Sequence, residues 1–235
     1  AQQLVANGDD PTTITRNLAE ATALAGHAAY SLSYAGLTVK PGIRVESIRT
    51  QIRDELAEGG PRSTTQTYVI VLPGLGATYE FTEHFAALAG VHRGFSPLAP
   101  GAGDSVQTET SLSYEAGVRY ADEDMGLNAE VIGFVNDYQN FVTQCGGSGG
   151  CDAMDLDRQF NAGDVLIGGV ELQGTYELEL PANLKLPMHF SYTYTHAAFR
   201  TAFSESGDPQ LGEVSVGDPV PYVPEHQWSL QLGLR

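Results

Sequence analysis

The chain has 235 residues, 42 % of them hydrophobic and 17 % charged, with 27 glycines and a net charge of −17 from 29 acidic against 12 basic side chains. Without a cationic surplus to neutralise phosphates, that balance excludes a nucleic-acid partner. Residues 1–10 lack the basic start and apolar core of a signal peptide, and the most apolar windows, such as 68–77, are short and broken by Pro73, Gly74 and Gly76, which excludes a membrane-crossing helix.

Along the chain the strongest signal is alternation with a period of two, which specifies strands with one apolar and one polar face. Ala28, Tyr30, Leu32 and Tyr34 alternate with His27, Ala29, Ser31 and Ser33, and Leu37, Val39, Ile43 and Val45 with Thr38, Lys40, Arg44 and Glu46. From Leu112 the apolar set is Leu112, Tyr114, Ala116, Val118 and Tyr120, against Ser113, Glu115, Gly117 and Arg119. From Leu166 to Leu180 one face is apolar and the other ends in carboxylates, at Glu171, Glu177 and Glu179. Met188, Phe190, Tyr192 and Tyr194 follow the same rule, as do His226, Trp228, Leu230, Leu232 and Leu234. These patterns predict nine strands near 16–35, 37–53, 66–80, 83–95, 110–121, 126–142, 163–180, 186–200 and 225–235. The segments 83–95 and 126–142 alternate poorly and are assigned as strands because each continues a regular hairpin series.

The connections alternate in length. Short ones fall near 35–37, 80–83, 121–126 and 180–186, and long ones near 54–65, 96–109, 143–162 and 201–224. Soluble sandwiches use strands of about five or six residues. Longer strands with short turns at one end and long loops at the other predict an all-β fold, the antiparallel transmembrane β-barrel of a bacterial outer membrane, apolar face to lipid and polar face to a wet interior. In lipid every backbone polar group must be paired, so strands cross only as a closed barrel. Nine strands cannot close an even-numbered antiparallel barrel, so residues 1–235 are expected to be part of one barrel domain whose other strands lie outside the chain.

Cys145 and Cys151 flank a flexible GGSGG, and the expectation is a small disulfide clasp. The acidic segment 151–157 offers too few oxygens for calcium and reads as a solvated loop, and the DED at 122–124 as a turn. His27 and His189 fall on the polar face as wall groups. No nucleophile elbow, phosphate loop or metal-ligand set is present, so neither an enzyme, a cofactor nor a metal site is expected.

Five stretches in order resemble the C-terminal half of TonB-dependent outer-membrane receptors, particularly those for ferric citrate and related siderophores. They are LTVKPGIRVESI (37–48), LPGLGATYEF (72–81) followed by HRGFSPLAPG (92–101), TETSLSYEAGVRY (108–120), NAGDVLIGGVEL (161–172) and GDPVPYVPEHQWSLQLGL (217–234). Thr108 stands where the family pattern has proline. The resemblance implies a 22-stranded barrel, of which this chain holds roughly strands eleven to nineteen, closed by a plug domain and coupled to TonB. Neither plug, TonB box nor aromatic-terminated closing strand is seen in the sequence. It further implies active uptake of a ferric chelate or similar scarce nutrient. On this reading Glu115, Arg119, Glu171, Gln173, Glu177 and Glu179 face the lumen and the plug, with Glu115 and Arg119 candidates for a barrel-to-plug ion pair. Arg44, His92 and Arg93 are the candidates for an anionic chelate, since arginine binds carboxylates as a fork. Two other readings stand beside it: a passive porin, against which the absence of an arginine row counts, and a soluble β-rich binding protein.

Overall fold

The computed structural model describes residues 2–7, 10–57, 59–102, 106–144, 159–204 and 213–235. Its strands are β1 (Gln2–Asn7), β2 (Asp10–Ala29), β3 (Leu32–Tyr34), β4 (Leu37–Asp54), β5 (Arg62–Glu80), β6 (Phe85–Ser96), β7 (Glu109–Asp122), β8 (Leu127–Gln139), β9 (Val142–Gln144), β10 (Gln159–Asn161), β11 (Val165–Leu180), β12 (Leu184–Phe199), β13 (Phe203–Ser204), β14 (Glu213–Val214) and β15 (His226–Leu232). Among the described residues, one antiparallel sheet takes the long strands in chain order, β1-β2-β4-β5-β6-β7-β8-β11-β12-β15, with β3 completing the β4 ladder. All nine expected strands are present, the two weakly alternating segments included. β1, the β9–β10 pair and the β13–β14 pair were not expected. Cys145, Cys151 and the acidic segment 151–157 lie outside the described residues.

The turns at one end are built by local chemistry. Ala35 and Gly36 both have positive φ, 47° and 83°, the two-residue hairpin geometry that matches strand twist. A hydroxyl rung between Ser33 and Thr38, 2.9 Å long, lies just inside that turn. Thr82 Oγ1 accepts from the amides of His84 and Phe85 in the second turn. The carboxylate of Asp122 accepts the Met125 amide at 2.9 Å in the third, where Gly126 has a φ of 62°. A single 3-10 turn, Pro181–Asn183, makes the fourth. Alanine at 35 occupies a left-handed position that favours Asn or Gly, so Ala35→Asn should stabilise the hairpin by about 0.5 kcal/mol. A rise in the urea midpoint of the lipid-embedded barrel checks this, and an unchanged or lower midpoint counts against the turn assignment.

Ladder pairing carries each face across the sheet without a break. One row runs Phe85–Tyr120–Ala129–Gly174–Phe190–Leu230, and another Leu37–Tyr79–Ala87–Val118–Val131–Leu172–Tyr192–Trp228. On this outward face large apolar side chains stand exposed: Leu24 by 76 %, Val69 by 63 %, Val118 by 53 %, Trp228 by 73 %. An apolar surface this extended is satisfied by lipid rather than water. Aromatic residues gather toward the short-turn end, where Tyr79 meets Phe81 edge-on at 4.9 Å and Phe85 lies 4.8 Å from Tyr120.

The opposite, inward face is polar, and its core is correspondingly small. Val165, Phe199 and Val214 are buried together, with Tyr138, Phe141, Ile167, Phe203 and Val220 packed around them. This cluster sits at the long-loop end, where β9–β10 and β13–β14 fold over the inward face. A second, smaller buried patch holds Ile48, Thr50 and Ala102.

Candidate functional site

The inward face presents its functional side chains in ladder rows. One row reads Lys40–Gly76–Gly90–Glu115–Phe134–Gly169–Thr195. The row on the long-loop side of it reads Gly42–Gly74–His92–Ser113–Asn136–Ile167–Ala197, and the row on the other side Thr38–Thr78–Leu88–Gly117–Ile132–Glu171–Thr193. Gly42, Gly74, Gly76 and Gly90 therefore form a stepped patch of bare backbone across β4, β5 and β6, one cross-strand pair in each of two adjacent rows. Around it Lys40, His92, Glu115 and Arg119 rim a hollow of about 580 Å³. Strand spacing puts Lys40 and Glu115 about 14 Å apart across the two central glycines. Lys40 thus stands on one side of the hollow and Glu115, Arg119 and His92 on the other, with a smooth floor between them.

The wall carboxylates divide into two classes. Glu46 takes Arg44 Nε at 2.5 Å, Glu130 takes Arg119 Nε at 2.6 Å directly across the β7–β8 ladder, and Glu177 takes Lys185 at 2.5 Å and also Arg235. Glu115 and Glu171, on β7 and β11, have no hydrogen-bond or ion-pair partner among the described residues. They stand on either side of β8, roughly 12 Å apart by strand spacing and rise. Glu171 is half-buried and Glu115 exposed to the lumen side.

Large side chains on β8 lean onto glycines of its neighbours. A Cβ on Gly169 would fall 2.8 Å from the Phe134 ring and against the Tyr194 carbonyl oxygen. A Cβ on Gly117 would fall 3.0 Å from Ile132 Cα and against the Val131 carbonyl. The Phe134 ring thus lies over Gly169, in the same ladder row as Glu115.

The register places the sequence candidates as follows. Glu115, Arg119, Glu171, Gln173, Glu177 and Glu179 share the inward face, as do His27, Arg44, His92 and His189. Arg119 is engaged within the wall by Glu130, so of the expected plug-facing pair only Glu115 is free. Arg44 is likewise held by Glu46, and His92 lines the hollow. Arg93 is not brought together with these two. It pairs with Leu112 on the outward face, as adjacent residues of a strand must take opposite sides. The glycine floor was missed by sequence reasoning. Its signal was present in the spacing Gly74, Gly76 and Gly90, yet only ladder register aligns them.

A family model described as TonB dependent receptor-like, beta-barrel matches residues 2–235. No curated protein matches the chain. Among solved structures, the ferric yersiniabactin uptake receptor FyuA of Yersinia pestis is similar over 98 % of this chain and 34 % of its own, at 17 % identity and a TM-score of 0.72. The siderophore receptor PiuA of Acinetobacter baumannii is similar over 94 % and 32 %, at 17 % identity and 0.69. The ferric citrate transporter FecA is similar over 96 % and 32 %, at 21 % identity and 0.68. The chain thus spans about a third of the length of the receptors whose fold it shares. With a lipid-facing apolar surface, a polar lumen wall and a family match over almost every residue, the chain belongs to the TonB-dependent receptor family and forms outer-membrane β-barrel wall.

Proposed function

We propose that this wall belongs to a receptor for energised uptake of a ferric chelate or a similar scarce nutrient, and that Glu115 and Glu171 hold cationic side chains of a plug domain. One observation carries the proposal: these two carboxylates stand unpaired on an inward face where Glu46, Glu130 and Glu177 are all neutralised. A carboxylate enclosed without a partner is costly, so an occupied lumen must supply cations to them. A porin would leave the same groups in open water. The family kinship, the ferric citrate and ferric yersiniabactin named for FecA and FyuA, and the siderophore named for PiuA support the substrate class. Arg44 on β4 and His92, which lines the hollow, are the wall groups suited to an anionic chelate.

The test uses the intact receptor with Glu115→Gln and Glu171→Gln together. Ligand binding at the cell surface should persist while energised uptake falls at least tenfold, and the plug should become more accessible to protease. Uptake at the wild-type rate with an equally protected plug would sink the proposal. A passive, unsaturable flux of small solutes through the unaltered protein would indicate a porin instead.

A further inference from the structure

Six residues at the long-loop end, 159–164, are wired to three of the long connections. The side-chain amide of Asn161 accepts from the Gln107 backbone amide at 2.8 Å and donates to the carbonyls of Gln107 and Asn140 at 2.9 and 3.0 Å. Gln159 Oε1 accepts the Ala99 amide at 2.9 Å. Ala162, which is wholly buried, donates to Phe141 O, and Phe141 donates to Gly163 O, both at 2.7 Å. The Asp164 carboxylate accepts the Asn140 amide at 3.2 Å. Its own amide donates to Thr201 Oγ1 and its carbonyl accepts from the Arg200 amide, each at 2.8 Å. At the base of the same group, Glu109 Oε2 accepts the Val142 amide at 2.9 Å. The fourth long connection, 54–62, is tied elsewhere. Glu55 donates its amide to Arg16 O at 2.9 Å and pairs through its carboxylate with Arg16 Nε, which fastens that tip to β2.

Between these two groups the wall has a break. β5 pairs with β6 from Glu80↔Ala86 up to Gly74↔His92 and no further. Above that rung, among the described residues, 62–73 of β5 pair only with β4, and 93–96 of β6 only with β7. Pro73, which has no amide to donate, stands at the point of parting. Across the break, Gln66 Nε2 donates to Ala102 O at 3.2 Å and Gly101 lies against the Ile52 side chain. A cavity of about 390 Å³ lies there, between Asn17, Ile52, Asp54 and Arg62 on one side and Gly101 and Ala102 on the other. A region opens as a unit when its parts are bonded to one another more densely than to their surroundings. We infer that 159–164 make the connections 96–109, 140–164 and 200–225 one cooperative body, with Asn161 as its positioning residue, and that this part of the mouth parts along a single line, the β5–β6 seam above Pro73. Movement there is movement of two bodies, the three-connection rim and the β4–β5 ribbon, and the cavity between them is the space that changes. The inference concerns the outer end of the wall and does not rest on the uptake reading.

The experiment is hydrogen exchange on the intact receptor in lipid nanodiscs, in urea too dilute to unfold the barrel. In the wild type, amides within 98–102, 106–109, 140–144, 159–164 and 200–204 should open with one shared dependence on urea. Those within 55–57 and 59–68 should follow a different one. Asn161→Ala removes three hydrogen bonds, so 98–109 should leave the shared unit and exchange about tenfold faster, with 59–68 unchanged. Gln159→Ala keeps Asn161 in place and should speed only 98–102, by about threefold. Gel mobility before and after heating shows that each variant is assembled, and the second variant serves if the first is not. Separate urea dependences for the three connections in the wild type, or a dependence that 59–68 share with them, would overturn the inference. So would wild-type exchange over 98–109 in assembled Asn161→Ala, or over 98–102 in Gln159→Ala.

Discussion

Gly169→Val will strip the wall of much of its stability, although it sits mid-strand and has an ordinary backbone conformation. The reason is space. Even the first carbon of a side chain at 169 would press on the Tyr194 carbonyl oxygen and on the Phe134 ring 2.8 Å away. The ring can rotate aside. The carbonyl cannot, because it belongs to the β11–β12 ladder, and a carbonyl pushed out of its ladder inside a barrel has nothing else to bond. Overpacking of this kind costs about 1–3 kcal/mol and an orphaned carbonyl about 1–3 more. The measurement is the urea midpoint of the refolded receptor in lipid vesicles, with the heat-modified gel shift as a check on assembly. A variant with the wild-type midpoint would show that the close approach is not real. Phe134→Ala combined with Gly169→Val should recover only the part due to the ring, so the two changes should be non-additive.

The second large effect is at Phe199. Its side chain is 2 % exposed and packs with Val165 and Val214, with Phe203 5.6 Å and Phe141 6.3 Å away centre to centre. Its backbone donates to Asp218 O at 3.0 Å and accepts from Gly217 at 2.9 Å. One residue therefore ties the bases of two long connections, 140–164 and 200–225, to the wall. Phe199→Ala should cost about 3–5 kcal/mol locally. The membrane-spanning ladder below contributes separately, so the loss should appear as faster protease cleavage in those two connections with the barrel itself intact. Cleavage at the wild-type rate would mean that the aromatic cluster does not anchor them.

Much of this wall was legible in the sequence because lipid on one side and water on the other enforce strict alternation. The strands at 110–121, 163–180, 186–200 and 225–235 were read to within a few residues for that reason. β8 was the hard case, and the structure shows why. Its inward positions Ile132 and Phe134 are apolar because they pack on Gly117 and Gly169 rather than face water. β6 was blurred by the opposite effect, since inward Gly90 and Gly94 carry no polar group to mark the face. The β1 hairpin went unread although Asn7-Gly8 is a strong turn signal. At the site, the inward placement of Glu115 and Glu171 followed from parity alone. The pairing of Arg119 with Glu130 did not, because it needs the β7–β8 register. Arg93 and His92 were grouped by adjacency, which in a strand guarantees that they separate.

The ladder row that begins at Leu37, the first residue of β4, reaches β11 at Leu172, eight residues short of that strand's end at Leu180. Eight residues of rise over five strand spacings is about 26 Å along against about 24 Å across, an inclination of about 45°. The interstrand hydrogen bonds, perpendicular to the strands, are inclined to the membrane normal by about the same angle. A pull along that normal therefore has a shear component along every ladder, which loads many hydrogen bonds at once. Mechanically the wall is a stiff frame, able to stay in place while force is applied to whatever it encloses.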